Sequence, residues 1–110
     1  MEFPYQSSLT QHHGFVHAGI VSTVLDSACG YAAFSLMPKG AAVLTIEFKI
    51  NLLSPAKGEL FRAIGTVKKP GRNITVTEGE LFSYVDGGQK LVATMVGTMM
   101  SIYDREGLEN

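Results

Sequence analysis

The chain has 110 residues, of which 45% are hydrophobic and 17% are charged, a composition that indicates one globular domain over residues 1–110 and excludes an intrinsically disordered chain. The formal net charge of −1 excludes the strongly basic field that nucleic-acid-binding domains use. The one cysteine, Cys29, excludes an intrachain disulfide, and the N-terminal MEFPYQSS lacks the basic and apolar blocks of a signal peptide, so we expect a cytoplasmic protein.

Apolar periodicity predicts one long helix, which is apolar on nearly every side, and several strands with short connections rich in Pro and Gly. Short connections make consecutive strands antiparallel neighbours. In chain order the predicted elements are an edge strand at Glu2–Gln6, a helix at His17–Leu36, and strands at Ala42–Leu52, Glu59–Lys68, Arg72–Val85 and Lys90–Tyr103. This order predicts an α+β fold in which one antiparallel sheet wraps around a long central helix.

The helix carries a single charged residue, Asp26, near its middle. A helix that is apolar all round is normally buried, and a lone carboxylate there is costly unless it is hydrogen-bonded, paired or used in chemistry. The segment is long enough to span a bilayer, but Asp26 would oppose insertion by about 3 kcal/mol, so we predict a core helix and no membrane association. A purely structural role, with Asp26 bonded to Ser22 or Thr23, stays open at this point.

The first long strand has the clearest alternation in the chain. It predicts two faces, an apolar one toward the helix and a polar one toward solvent: Leu44, Ile46, Phe48, Ile50 and Leu52 against Thr45, Glu47, Lys49 and Asn51. The later segment Asp86-Gly87-Gly88 is typical of a β-hairpin turn.

Three histidines precede the helix, and two of them, His13 and His17, have a spacing that could present two metal ligands on a helix. Gly14 between them and the lack of a clear third ligand argue against a metal site, so we expect none. We expect the His17 imidazole to bond the backbone and hold the turn where the helix begins.

The element order and one local motif resemble the hotdog-fold thioesterases over about residues 11–103. The motif G-x-x-H-[GA]-G, followed by an acid on the helix, reads Gly14-Phe15-Val16-His17-Ala18-Gly19 and then Asp26. The chain is most similar to the phenylacetate-pathway thioesterases and the Arthrobacter-type 4-hydroxybenzoyl-CoA thioesterases. It departs from them at Ala18, where glycine is frequent, and at Gly30, where the Arthrobacter type has threonine.

The resemblance implies hydrolysis of a small aryl or short- to medium-chain acyl-CoA to free acid and CoA, with no cofactor because CoA is part of the substrate. It assigns Asp26 as the nucleophile or general base. It also implies that the Ala18 N–H, helped by Gly19, polarises the thioester carbonyl, that Gln11 orients the water, and that Thr45 assists the water. Small residues at a helix start also occur for packing alone, and that alternative stays open.

The resemblance also points to residues that contact the substrate beyond the reacting atoms. His17 lies at the motif turn, and Lys68, Lys69 and Arg72 place three positive charges around the Pro70-Gly71 turn. Such a turn would hold the phosphates of CoA. A solvated hairpin tip is the alternative.

The spacing of Ala18 and Asp26 predicts an oligomer. Eight residues at 1.5 Å each separate them by about 12 Å along the helix, too far for one acyl group to reach both. A second subunit would have to bring its own Asp26 to this helix start. We therefore expect a homodimer with shared sites, assembling into a homotetramer.

Two other functions remain open. A hotdog hydratase or dehydratase acting on acyl-CoA or acyl-carrier protein would need an acid–base pair, and its G-D-x-N-P-x-H segment is absent from the sequence. A non-catalytic acyl-CoA-binding module would keep the basic turn but would not need Asp26.

Overall fold

The computed structural model describes residues 1–4 and 18–103 of the chain. Its elements are β1 (Glu2–Pro4), α1 (Ala18–Phe34), β2 (Ala42–Leu52), β3 (Leu60–Lys69), β4 (Ile74–Val85) and β5 (Gly88–Ile102). Helix α1 ends two residues before the predicted Leu36, and the predicted first residue, His17, lies outside the described residues. No helix within residues 1–4 and 18–103 combines the length and hydrophobicity that crossing a bilayer requires.

The five strands form one antiparallel sheet in the order β1-β3-β4-β5-β2, and α1 contacts all four long strands. The predicted α+β class is confirmed. The expectation that every consecutive pair of long strands would be neighbours is wrong for β2 and β3. After β2 the backbone N–H groups of Leu53 and Ser54 both donate to Val92 O in β5, and the Glu59 N–H donates to Tyr84 O in β4. The connection between them therefore crosses the end of the sheet instead of folding back.

A pair of glycines brings α1 down onto the sheet. Gly65 in β3 and Gly79 in β4 are paired across the two strands. A Cβ atom on Gly65 would lie 2.3 Å from the Ala28 carbonyl oxygen, and one on Gly79 would lie 2.9 Å from Cys29 Sγ. The middle of the helix therefore rests directly on strand backbone, and this contact fixes the height of Asp26 above the sheet.

An irregularity in β2 changes which side chains face the helix. The register with β5 shifts between Thr45 and Glu47, as it does when a β-bulge inserts an extra residue. Before the shift, Thr45 pairs with fully buried Met99 and faces α1, whereas Leu44 is 48% exposed. The predicted alternation is therefore wrong for Leu44 and Thr45. After the shift Ile50 packs against the core, whereas Phe48 and Leu52 face the same way but are 45% and 58% exposed, so the predicted burial holds for Ile50 alone.

One side of α1 is buried within the chain. Its buried residues are Val21, Leu25, Ala28, Cys29 and Ala33. On another side Tyr31 is 69% exposed and Phe34 is 49% exposed. The prediction of a helix buried all round is thus correct for the sheet-facing stripe alone.

Candidate functional site

The candidate site is an open cleft of about 540 Å³ between α1 and the beginning of β2. Its helix side is lined by Asp26, Ser27, Gly30, Tyr31 and Phe34, and its strand side by Ala41, Ala42, Val43 and Thr45. Most of this lining is apolar, and the polar groups are concentrated at one end around Asp26. A cleft of this size and chemistry is typical of a small-molecule site that positions an apolar group beside a reactive one.

Asp26 is held from the sheet. The Thr45 hydroxyl donates a hydrogen bond of 2.8 Å to Asp26 Oδ1, and it also lies 3.3 Å from Met99 Sδ. A hydroxyl has one proton, and a carboxylate is a much better acceptor than a thioether sulfur, so we assign the proton to Asp26. One carboxylate oxygen is thereby oriented.

The structural role considered for Asp26, a hydrogen bond with Ser22 or Thr23, does not match its surroundings. The Ser22 hydroxyl donates to Ala18 O at 3.0 Å and the Thr23 hydroxyl donates to Gly19 O at 2.8 Å. Both hydroxyl groups donate to the backbone carbonyl four residues earlier, as serine and threonine side chains commonly do within helices. Asp26 is therefore joined to strand β2 through Thr45 and lines the cleft.

Cys29 packs into the core as a small apolar residue and is fully buried. Burial raises the pKa of its thiol above the ordinary value, the hydrogen bond with the Thr77 side chain lowers it, and the Asp26 carboxylate raises it. A thiol with a raised pKa stays protonated and is a poor nucleophile at neutral pH. We therefore give Cys29 no chemical role.

The structure does not bring the helix start to Asp26. Ala18 and Gly19 form the first turn of α1, and Asp26 follows eight residues later, about 12 Å along the axis. The cleft extends from Asp26 in the opposite direction, toward Phe34. Within one chain the predicted oxyanion donors and the predicted base are thus separate.

The basic turn is also separate from Asp26. Lys68 and Lys69 are exposed, and Lys68 Nζ lies 3.6 Å from Glu78 Oε2. Arg72 lines a second cavity of about 470 Å³ with Pro38, Asn73 and Tyr103. Pro38 belongs to the connection that leads into Ala41, so this cavity lies beside the same connection as the cleft.

Two predicted site residues, Gln11 and His17, lie outside the described residues, as do His12 and His13. Within residues 1–4 and 18–103, no three His, Cys, Asp or Glu side chains lie close enough together to hold a metal ion.

Apart from Asp26 and Thr45, sequence reasoning did not predict the lining of the cleft. Gly30 and Phe34 follow Asp26 at spacings of four and eight residues, so all three lie along one side of α1. That spacing is the signal that could have identified them. The bond between Thr45 and Asp26 had no comparable signal, because the simple alternation of β2 directs Thr45 away from the helix.

Comparison with known proteins defines the class. Residues 13–88 match the family profile of the thioesterase superfamily. The chain belongs to the thioesterase superfamily, and its sheet and helix form the hotdog fold. A relative from Halobacterium salinarum that carries a provisional esterase name is 39% identical over an alignment of 83 positions, and the match covers 71% of this chain and 54% of that protein. The chain thus spans about half the length of that relative.

Solved structures of similar proteins agree with this family assignment. A thioesterase family protein from Silicibacter pomeroyi has a TM-score of 0.92 and 56% identity, over 94% of this chain and 76% of that one. A Bacillus halodurans protein solved with CoA has a TM-score of 0.84 and 29% identity, over 92% and 69%. A phenylacetic acid degradation-related protein from Ralstonia eutropha has a TM-score of 0.79 and 28% identity, over 90% and 72%. The resemblance seen in the sequence is confirmed.

Proposed function

We propose that this protein hydrolyses acyl-CoA thioesters that carry a small aryl or a short- to medium-chain acyl group. The observation that carries the proposal is the Asp26 carboxylate, oriented by Thr45 at the polar end of an otherwise largely apolar cleft. Membership of the thioesterase superfamily and the CoA-bound relative support the reaction class. The buried thiol of Cys29 fits a reducing, cytoplasmic setting.

In the proposed reaction the acyl group lies in the cleft with its carbonyl carbon beside Asp26. As a general base, Asp26 takes a proton from water while the water oxygen attacks the carbonyl carbon. The C–S bond then breaks, and the proton passes to the departing CoA sulfur. As a nucleophile, Asp26 would instead expel the CoA thiolate and form an anhydride, which water hydrolyses. Both routes give free acid and CoA.

The tetrahedral intermediate carries an oxyanion that needs hydrogen-bond donors. We propose that the Ala18 N–H at the positive end of α1, with Gly19 beside it, supplies this stabilisation from a second copy of the chain. The separation along α1 supports a shared site, as do the exposed Tyr31 and Phe34 and the position of β2 at a sheet edge. Gln11 and His17 remain proposed for water orientation and for the turn beside the substrate.

Two further features extend the proposal. Lys68, Lys69 and Arg72 would contact the CoA phosphates, since a positively charged turn suits an anionic nucleotide and Arg72 lines a cavity beside the connection that leads into the cleft. Leu44, Ile74 and Met100 are aligned across the outer face of the sheet and are exposed, which supports assembly of two dimers into a tetramer.

The test is release of free thiol from a panel of acetyl-, hexanoyl-, benzoyl- and phenylacetyl-CoA, followed with a thiol reagent. We expect hydrolysis of at least one aryl or medium-chain member. A hydratase or a binding module releases no thiol, so a negative panel would contradict the proposal. Light scattering on the same preparation should show a dimer or tetramer, and an active monomer would rule out the shared site.

A further inference from the structure

Gly30 has no structural reason within the chain to be a glycine. It lies inside α1, where glycine is less favourable than alanine because its backbone loses more freedom. A Cβ atom added to Gly30 would meet nothing within 4 Å, and its φ is not in the left-handed region. Gly65 and Gly79 differ, since a Cβ atom on either would collide with α1.

The cleft does provide a reason for glycine at position 30. It lies one helical turn beyond Asp26, and Phe34 lies one turn beyond Gly30, so the missing side chain leaves space between them. Four residues of helix place this space about 6 Å from Asp26 along the axis. Once the carbonyl carbon lies beside Asp26, a ring or branch attached to it extends into that space.

We infer that Gly30 is a specificity-determining residue that admits acyl groups which are broad next to the carbonyl, such as rings and branched chains. The inference rests on the proposed function and adds the feature of the acyl group that the cleft selects. The apolar surroundings of Gly30 fit such a group, because Tyr31 and Phe34 lie beside it on α1 and Val43 lies opposite on β2. An acetyl group is too short to use this space.

Two substitutions fill the space in steps. Gly30→Ala and Gly30→Leu both favour the helix, so a loss of function cannot be attributed to helix propensity. Ser35→Leu is the matched control, since Ser35 is exposed just after α1 and does not line the cleft. Each variant is assayed with benzoyl-CoA and acetyl-CoA, and its affinity for the inert thioether S-phenacyl-CoA and for CoA is measured by calorimetry.

We expect the benzoyl/acetyl ratio of kcat/KM to fall about tenfold in Gly30→Ala and about a hundredfold in Gly30→Leu, the range that one or more methylenes produce in a tight pocket. S-phenacyl-CoA should bind at least tenfold more weakly to Gly30→Leu, while CoA affinity changes less than twofold. Ser35→Leu should match the wild type.

Three results would overturn the inference. The first is an unchanged ratio with unchanged S-phenacyl-CoA affinity in an enzyme that hydrolyses acyl-CoA, which leaves the proposed function intact. The second is loss of the dimer in Gly30→Ala, since Gly30 would then serve helix contact between copies. The third is a wild type that does not bind S-phenacyl-CoA. If the wild type binds S-phenacyl-CoA but hydrolyses no acyl-CoA, selective loss of that binding in Gly30→Leu would support the inference and contradict the proposed function.

Discussion

The Thr45 hydroxyl and the Asp26 carboxylate are the pair on which the proposed chemistry depends. The bond of 2.8 Å restrains one carboxylate oxygen and leaves Asp26 on the wall of the cleft. A carboxylate that must act on a substrate has to be positioned to within a fraction of an ångström, and a donor on a rigid strand achieves this better than solvent does. We therefore propose that Thr45 is a positioning residue that acts through Asp26, whereas the resemblance implied that it assists the water.

Thr45→Val tests this role, because valine keeps the shape of threonine and removes the donor. We expect kcat to fall about tenfold or more, since misplacement of a reacting group is costly in rate. The free energy of unfolding should fall by about 1 kcal/mol, the typical net contribution of one intramolecular hydrogen bond. Thr45→Ser retains the hydroxyl and should keep most of the activity. If valine and serine had equal kcat values, the hydroxyl would have no part in positioning Asp26.

At the scale of elements, the contact between α1 and the β3–β4 pair determines where the site lies. Gly65 and Gly79 let the helix backbone approach the sheet at Ala28 and Cys29, just after Asp26. Asp26 is thereby placed within reach of β2, where the register shift directs Thr45 toward it. The two glycines on β3 and β4 and the register shift in β2 therefore bring Thr45 and Asp26 together.

Gly65→Ala should weaken the fold through this contact. The added methyl would lie 2.3 Å from the Ala28 carbonyl oxygen, and backbone on both sides leaves little room to adjust. We expect the free energy of unfolding to fall by about 1–3 kcal/mol or more, the usual cost of overpacking, in urea titrations. Gly88→Ala is the matched control, because its methyl would come no closer than 3.5 Å to Val85 O. Equal stability of the two variants would contradict the close approach.

Local patterns in the sequence predict much of this fold. The Asp86-Gly87 turn joins β4 to β5 with φ values of 50° and 77°, as a hairpin of this sequence requires. Asp26 is recognisable as a lone carboxylate on an apolar helix. The register shift after Thr45 is not recognisable, because it depends on pairing with β5, some 50 residues later. The placement of β2 beside β5 is not recognisable either, because the two strands are far apart in the sequence.

At the scale of the whole molecule, the single chain holds two incomplete halves of the proposed site. Asp26 and the cleft lie along the middle and end of α1, and the Ala18 N–H lies at its start. Two copies would make two complete sites, each with the base from one chain and the oxyanion donor from the other. This arrangement can be tested without a structure of the assembly.

The test is complementation between two inactive variants. Ala18→Pro removes the N–H at a helix position that tolerates proline, and Asp26→Asn removes the base. Co-expressed with different tags, the two should form mixed dimers in which one site has both groups intact. We expect about a quarter of the wild-type activity from random pairing, since half of the dimers are mixed and each has one working site. No recovery in isolated mixed dimers would show that the sites are not shared.

Asp26 is proposed as the catalytic carboxylate of a thioesterase, and the Asp26→Asn variant separates this role from a structural one. Asparagine keeps the size of aspartate, and its amide oxygen can still accept the hydrogen bond from Thr45. Asp86→Asn is the matched control, since it makes the same chemical change in an exposed turn whose positive φ suits asparagine. The measurement is kcat for acyl-CoA hydrolysis together with Tm on the same preparations.

We expect kcat of Asp26→Asn to fall by about a hundredfold to ten-thousandfold, the usual contribution of a general base. Its Tm should be equal to or higher than that of the wild type, because a partly buried amide costs less to desolvate than a carboxylate. Asp86→Asn should match the wild type in both. A stable Asp26→Asn variant with wild-type kcat would show that Asp26 is not the catalytic carboxylate.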